Sequence, residues 1–156
     1  MNPRTVATIA LLIGTPYSLL AQGVVITGGT PSAVVDALKG QLQPQGFQLV
    51  RADEKSALFS LDRGMVPQQG SRAVQGALVH VVLEFTARFK QKDQGLQVTA
   101  SEEVVGNPRS STQFRKPVES PLERQNMQRL LDAVRAEIQS RQSARDSATK
   151  RDSIPQ

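Results

Sequence analysis

His80 is the only histidine in the chain, cysteine is absent, and the most closely spaced carboxylates are two adjacent pairs, Asp53-Glu54 and Glu102-Glu103. A lone histidine excludes multi-histidine metal sites, and the lack of thiolates excludes cysteine nucleophiles and cysteine-ligated zinc. His80 falls on the polar side of an alternating stretch, which favours a surface or cross-strand role over that of a hydrolytic base. Glu84 is four residues on, about 13 Å away along a strand, too far to orient it. A glycosidase needs two carboxyl groups converging across about 5 to 9.5 Å. Neighbours on a strand point to opposite faces, so Glu102-Glu103 is a poor pair, and both acidic pairs are expected to be solvated. No catalytic, metal-binding or cofactor-binding residue is assigned, and the chain is expected not to be an enzyme.

The stretch Val24-Val25-Ile26-Thr27-Gly28-Gly29-Thr30-Pro31 resembles the first strand and glycine turn of the short-chain dehydrogenase/reductase family, T-G-x-x-x-G-x-G. Thr27 and Gly28 match its first two positions. The later glycines would fall at 32 and 34, where Ser32 and Val34 would put side chains in the path of a pyrophosphate. The family's Tyr-x-x-x-Lys is missing as well, because the one tyrosine is Tyr17 near the amino terminus. The motif is therefore expected to be a strand-to-helix junction.

One connection is a candidate binding segment. Between Asn107 and Pro117, three cations flank a single aromatic: Arg109, Phe114, Arg115 and Lys116. Such a group suits an acidic partner, phosphate or lipid headgroups. The glycine-, proline- and glutamine-rich stretch from Arg63 to Gly76 is the other long irregular segment where binding residues would sit.

These residues need a scaffold, and the 156-residue length with 38% hydrophobic residues provides for one domain. Five phenylalanines and one tyrosine leave the core to Val, Leu, Ile and Ala. After Arg4 no charge occurs until Asp36, and the block from Val6 to Ile13 is apolar, followed by Gly14 and Pro16. A basic start, an apolar core and the small residues Ala21 and Gly23 describe a secretory signal peptide over 1–23, with cleavage after Ala21 as the alternative. The protein is thus expected to be periplasmic or secreted, and the net charge of +5 falls to +4 on loss of Arg4. The final segment 141–156 is basic and has one large aliphatic residue, Ile154, so a disordered tail is expected. Its mixed signs favour solvation over nucleic-acid binding.

Residues 24–140 form the expected domain. Thr30 and Pro31 open a helix carrying the stripe Val34, Val35, Leu38 and Leu42, ended by Pro44 and Gly46. Phe47–Ala52 and Ala57–Asp62 predict one hairpin, and the alternating stretches Ala77–Lys90 and Leu96–Glu102 a second. Ser120-Pro121-Leu122-Glu123 is a capping box, followed by the stripe Met127, Leu130, Leu131, Val134 and Ile138. The expected fold is α+β: a mainly antiparallel sheet of about five strands with two helices on one face, in the order β-α-β-β-β-β-α.

In element order, in Ala37-Leu38 with Gly46-Phe47, and in the Leu130 to Ile138 stripe, the domain resembles the helix-grip envelope domains of the outer-membrane assembly lipoprotein C family. The chain departs from that family in lacking a lipobox cysteine. The resemblance implies a non-enzymatic envelope role, and the protein is expected to be a module binding an unknown protein partner, with no membrane contact beyond a peripheral one. The alternative is a carrier of a small apolar ligand between sheet and carboxy-terminal helix, which requires a cavity of about 300 Å³ or more under Leu130 to Ile138.

Overall fold

The computed structural model describes residues 22–67 and 78–152. Strand β1 (Gln22–Ile26) leads into helix α1 (Pro31–Leu42). Strands β2 (Gln48–Ala52), β3 (Ser56–Pro67), β4 (Leu78–Lys92), β5 (Gly95–Gly106) and β6 (Phe114–Pro117) follow, and helix α2 (Pro121–Asp152) closes the chain. The fold is α+β, a six-strand antiparallel sheet with two helices, in the order β-α-β-β-β-β-β-α. The sheet runs β2-β3-β4-β5, and the outer edge of β5 is shared. β1 pairs with Leu96–Ala100 and β6 with Glu103–Gly106.

The strand absent from the five-strand expectation is β6, which lies in the stretch read as a loop. Its residues Phe114-Arg115-Lys116-Pro117 carry no alternating apolar pattern. They become a strand because β1 stops short and leaves the end of β5 unpaired, and Pro117 is tolerated at the end of an edge strand. β3 also extends further than its pattern, since Gly64–Pro67 pairs with β4 after a bulge at Arg63. The remainder of the expected 63–76 loop lies outside the described residues.

The local signals act as expected at both helix starts. The Thr30 hydroxyl accepts from the Ala33 N–H at 3.3 Å, and the Ser120 hydroxyl accepts from the Glu123 N–H at 3.2 Å. Because β1 and β2 lie at opposite edges, α1 must cross one face of the sheet, and α2 lies beside it over β1. The shared core contains Val34, Leu38 and Leu42 from α1, Leu131, Val134 and Ile138 from α2, and Phe59, Phe85, Ala87 and Val98 from the sheet. Phe59 and Phe85 meet edge to face, ring centroids 6.2 Å apart.

Two boundaries differ from the sequence reading. Gln22 and Gly23, which cleavage after Gly23 would remove, are the first two residues of β1, paired with Ala100 and Thr99. Residues 1–21 of the expected leader lie outside the described residues. The basic segment expected to be disordered is helical from Arg141 to Asp152, as the end of α2. Extending an existing helix adds one hydrogen bond per residue fixed, without the unfavourable nucleation step. Arg141 pairs with Glu137 one turn back, and the Ser143 and Ser147 hydroxyls donate to the Gln139 and Ser143 carbonyls. The last four residues of that segment lie outside the described residues.

Phe59 is fully buried. Phe59→Ala is expected to lower the unfolding free energy by about 3–5 kcal/mol in urea denaturation, with the denaturant slope unchanged.

Candidate functional site

The four residues of the candidate basic segment do not form one cluster. β6 pairs Gly106 with Phe114, Val105 with Arg115 and Val104 with Lys116, so Arg115 faces the side of the sheet away from the helices while Phe114 and Lys116 face the other. The Phe114 ring lies over Gly106 so closely that a Cβ there would come within 2.1 Å of it, which is why this position is glycine. Lys116 Nζ stands 5.6 Å from the same ring centroid. Arg109 is exposed in the tight turn between β5 and β6, at a left-handed φ of 65°, and its N–H donates to Gln113 Oε1.

Arg115 is engaged within the chain. Glu84 and Glu103 are directly opposed on β4 and β5, an unfavourable pairing of like charges. Arg115 Nη1 bridges them, at 2.7 Å from Glu84 and 3.1 Å from Glu103. The two carboxylates, Glu84 first, hold the guanidinium more firmly protonated. His80 is on the same sheet face, with Nε2 2.8 Å from Asp62 Oδ1. The Gly64 N–H and His80 hold the Asp62 carboxyl below its ordinary range.

Both helices pack on the other side of the sheet, and no described element covers this face around Arg88 and Lys90, while Val105 towards its other end is buried. The register lays out its rows. Ser56, Arg88, Thr99 and Gly23 form one, Leu58, Thr86 and Ser101 the next, and Ser60, Glu84 and Glu103 a third. At the end of the sheet near the β2–β3 and β4–β5 turns, Lys55, Arg88, Lys90, Gln97 and Thr99 line a shallow groove of about 330 Å³. Arg88 and Lys90 are exposed and form no ion pair with any described residue.

Glu102 and Glu103 separate as strand neighbours must, but Glu102 is half-buried, where a solvated side chain was expected. It sits opposite Phe85 on the helix-covered face, in a cleft of about 260 Å³ between the end of α1 and the start of α2. Leu42, Phe47, Phe85, Met127 and Leu130 form the apolar walls, with Gln45, Glu123 and Asn126 also lining it. The Glu102 carboxylate accepts no hydrogen bond and forms no ion pair from a described side chain. Burial, and then the like charge of Glu123, raise its pKa, with Arg63 acting in the opposite direction. The signal for this placement was present in the sequence, because Leu96, Val98 and Ala100 continue at the same parity to 102.

The glycine stretch is the fold junction expected of it. Gly28 has φ of +66°, and a Cβ there would come 2.8 Å from Gln142 Nε2 of α2, so the turn is packed against protein. Among the described residues, no three histidine, aspartate or glutamate side chains converge to hold a metal ion. Compared with known proteins, the chain matches no protein-family model and no curated sequence.

Two measurements check this geometry. Arg115→Ala leaves Glu84 and Glu103 unbridged and is expected to cost about 0.5–1 kcal/mol of stability, less at high salt. For Glu102, a raised pKa means that the folded state holds its proton more tightly than the unfolded chain. Stability therefore falls as pH rises above the usual glutamate value of about 4.3, until the folded-state value is passed. Glu102→Gln is expected to raise Tm at about pH 7 and to leave it unchanged at about pH 3.5, below the usual glutamate value, where both forms are neutral.

Proposed function

We propose that the protein is a non-enzymatic binding module of the bacterial cell envelope whose open sheet face docks an acidic segment of a partner protein. The observation that carries this reading is the exposed Arg88 and Lys90, set among Thr99, Gln97 and Lys55 on a face that no described element covers. The hydroxyl and amide groups of these rows supply hydrogen bonds to a partner, while the two cations, unpaired among the described residues, select carboxylates and speed encounter. Arg115 contributes to this surface indirectly, by offsetting part of the negative charge of the two glutamates that would otherwise repel such a partner. The leader-like amino terminus and the helix-grip resemblance support an envelope location. Processing after Ala21 would keep all five residues of β1. Among the described residues, no helix is long and apolar enough to cross a membrane.

The apolar-carrier alternative asks for space beneath Leu130 to Ile138. There Leu131, Val134 and Ile138 are buried in the core, and the opening between sheet and α2 lies nearer the start of the helix. Docking on the open face is therefore the preferred reading.

A deca-glutamate peptide is the direct probe. It is expected to bind with amide chemical-shift changes confined to the Arg88, Lys90 and Thr99 neighbourhood. The double variant Arg88→Glu with Lys90→Glu is expected to weaken binding at least tenfold, as is raising the salt to about 0.5 M. Shifts mapping to the helix side, or binding to anionic phosphatidylglycerol vesicles but not to the peptide, would overturn the reading.

A further inference from the structure

The cleft at the start of α2 combines apolar walls with a carboxylate that, among the described residues, has no side-chain hydrogen bond or ion pair. Glu102 stands on the helix-covered face, where the other inward positions of β5 between Leu96 and Ala100 are all apolar, and it breaks that pattern next to Phe85. Glu123, in the first turn of α2, brings a second negative charge to the same cleft. Folding thus removes part of the hydration of Glu102, and burial with the like charge of Glu123 outweighs the opposing charge of Arg63, an arrangement that costs free energy unless something else fills the cleft.

We propose that this cleft binds a small cationic amphiphile, a primary alkylammonium whose head group pairs with Glu102 and Glu123 and whose chain lies between Phe47, Phe85, Met127 and Leu130. An anion is repelled by the two carboxylates. A neutral hydrocarbon covers the walls but deepens the desolvation of Glu102. An alkylammonium satisfies both surfaces, since a charge-assisted hydrogen bond to a carboxylate is stronger than a neutral one and strengthens as water is excluded. At ~30 Å³ per chain atom, taken as one water's share of liquid volume, a cleft of about 260 Å³ takes a chain of about eight heavy atoms. The site lies across the sheet from the Arg88 and Lys90 surface and does not depend on docking there.

Titration calorimetry with octylammonium, octanol and Nα-acetyllysine amide tests the proposal on the purified protein. Octylammonium is expected to bind. Octanol, which lacks the charge, and the lysine derivative, whose stem has four methylenes, are expected to bind at least tenfold more weakly. Glu102→Gln is expected to weaken octylammonium at least tenfold and Glu123→Gln by less. Met127→Trp, which fills the cleft but keeps both carboxylates, is expected to abolish binding. The Arg88→Glu, Lys90→Glu variant should bind octylammonium as the unaltered chain does, which separates this site from the docking face. Octanol binding as tightly as octylammonium, or unchanged octylammonium affinity in either Glu102→Gln or Met127→Trp, would overturn the proposal.

Discussion

The register between β4 and β5 is the constraint on which the other features depend. These two strands pair over their whole shared length, from Val81 opposite Gly106 to Lys92 opposite Gly95. Side chains alternate with a period of two, so a slip of one residue would send every side chain of one strand to the other face. In the observed register Phe85, Ala87 and Phe89 join Leu96, Val98 and Ala100 beneath the helices. Arg88 and Thr99 then face away with Glu84 and Glu103. The same pairing that forms the core therefore brings two glutamates into opposition on the open face, and it sets Glu102 beside Phe85 on the covered one.

The helices explain why the cleft lies where it does. α1 enters from β1 at one edge and delivers the chain to β2 at the other, ending at Leu42. α2 begins only at Pro121, after β6 has completed the unpaired end of β5. Between the end of one helix and the start of the other, the sheet is covered by Met127 and Leu130, which are only partly buried, whereas Leu131 and Val134 further along are fully buried. The row Phe85–Glu102 falls at this boundary. It is close enough to the core to lose water and far enough from it to leave a space.

Much of the scaffold was legible in the sequence because its signals are local. The Thr30-Pro31 and Ser120-Pro121 starts, the stripe from Leu131 to Ile138 and the alternation of β4 each specify an element within a few residues. What escaped notice depends on neighbours distant in the chain. Phe114–Pro117 is a strand only because β1 leaves part of β5 unpaired, and the helical end of α2 follows from the packed turns before it. Arg115 looked like a free cation until Glu84 and Glu103, on two other strands, were brought to it. Glu102 is the instructive case. Judged with its neighbour Glu103 it looks solvated, yet judged at the parity of Leu96, Val98 and Ala100 it belongs on the covered face.

The face assignment of these residues is the central claim, and cross-strand nuclear Overhauser contacts test it without any variant. The observed register predicts backbone proton contacts between Phe85 and Glu102 and between Ala87 and Ala100. Contacts from Phe85 to Glu103 in place of Glu102 would mean a one-residue slip. They would move Glu102 to the open face and contradict the account of both surfaces.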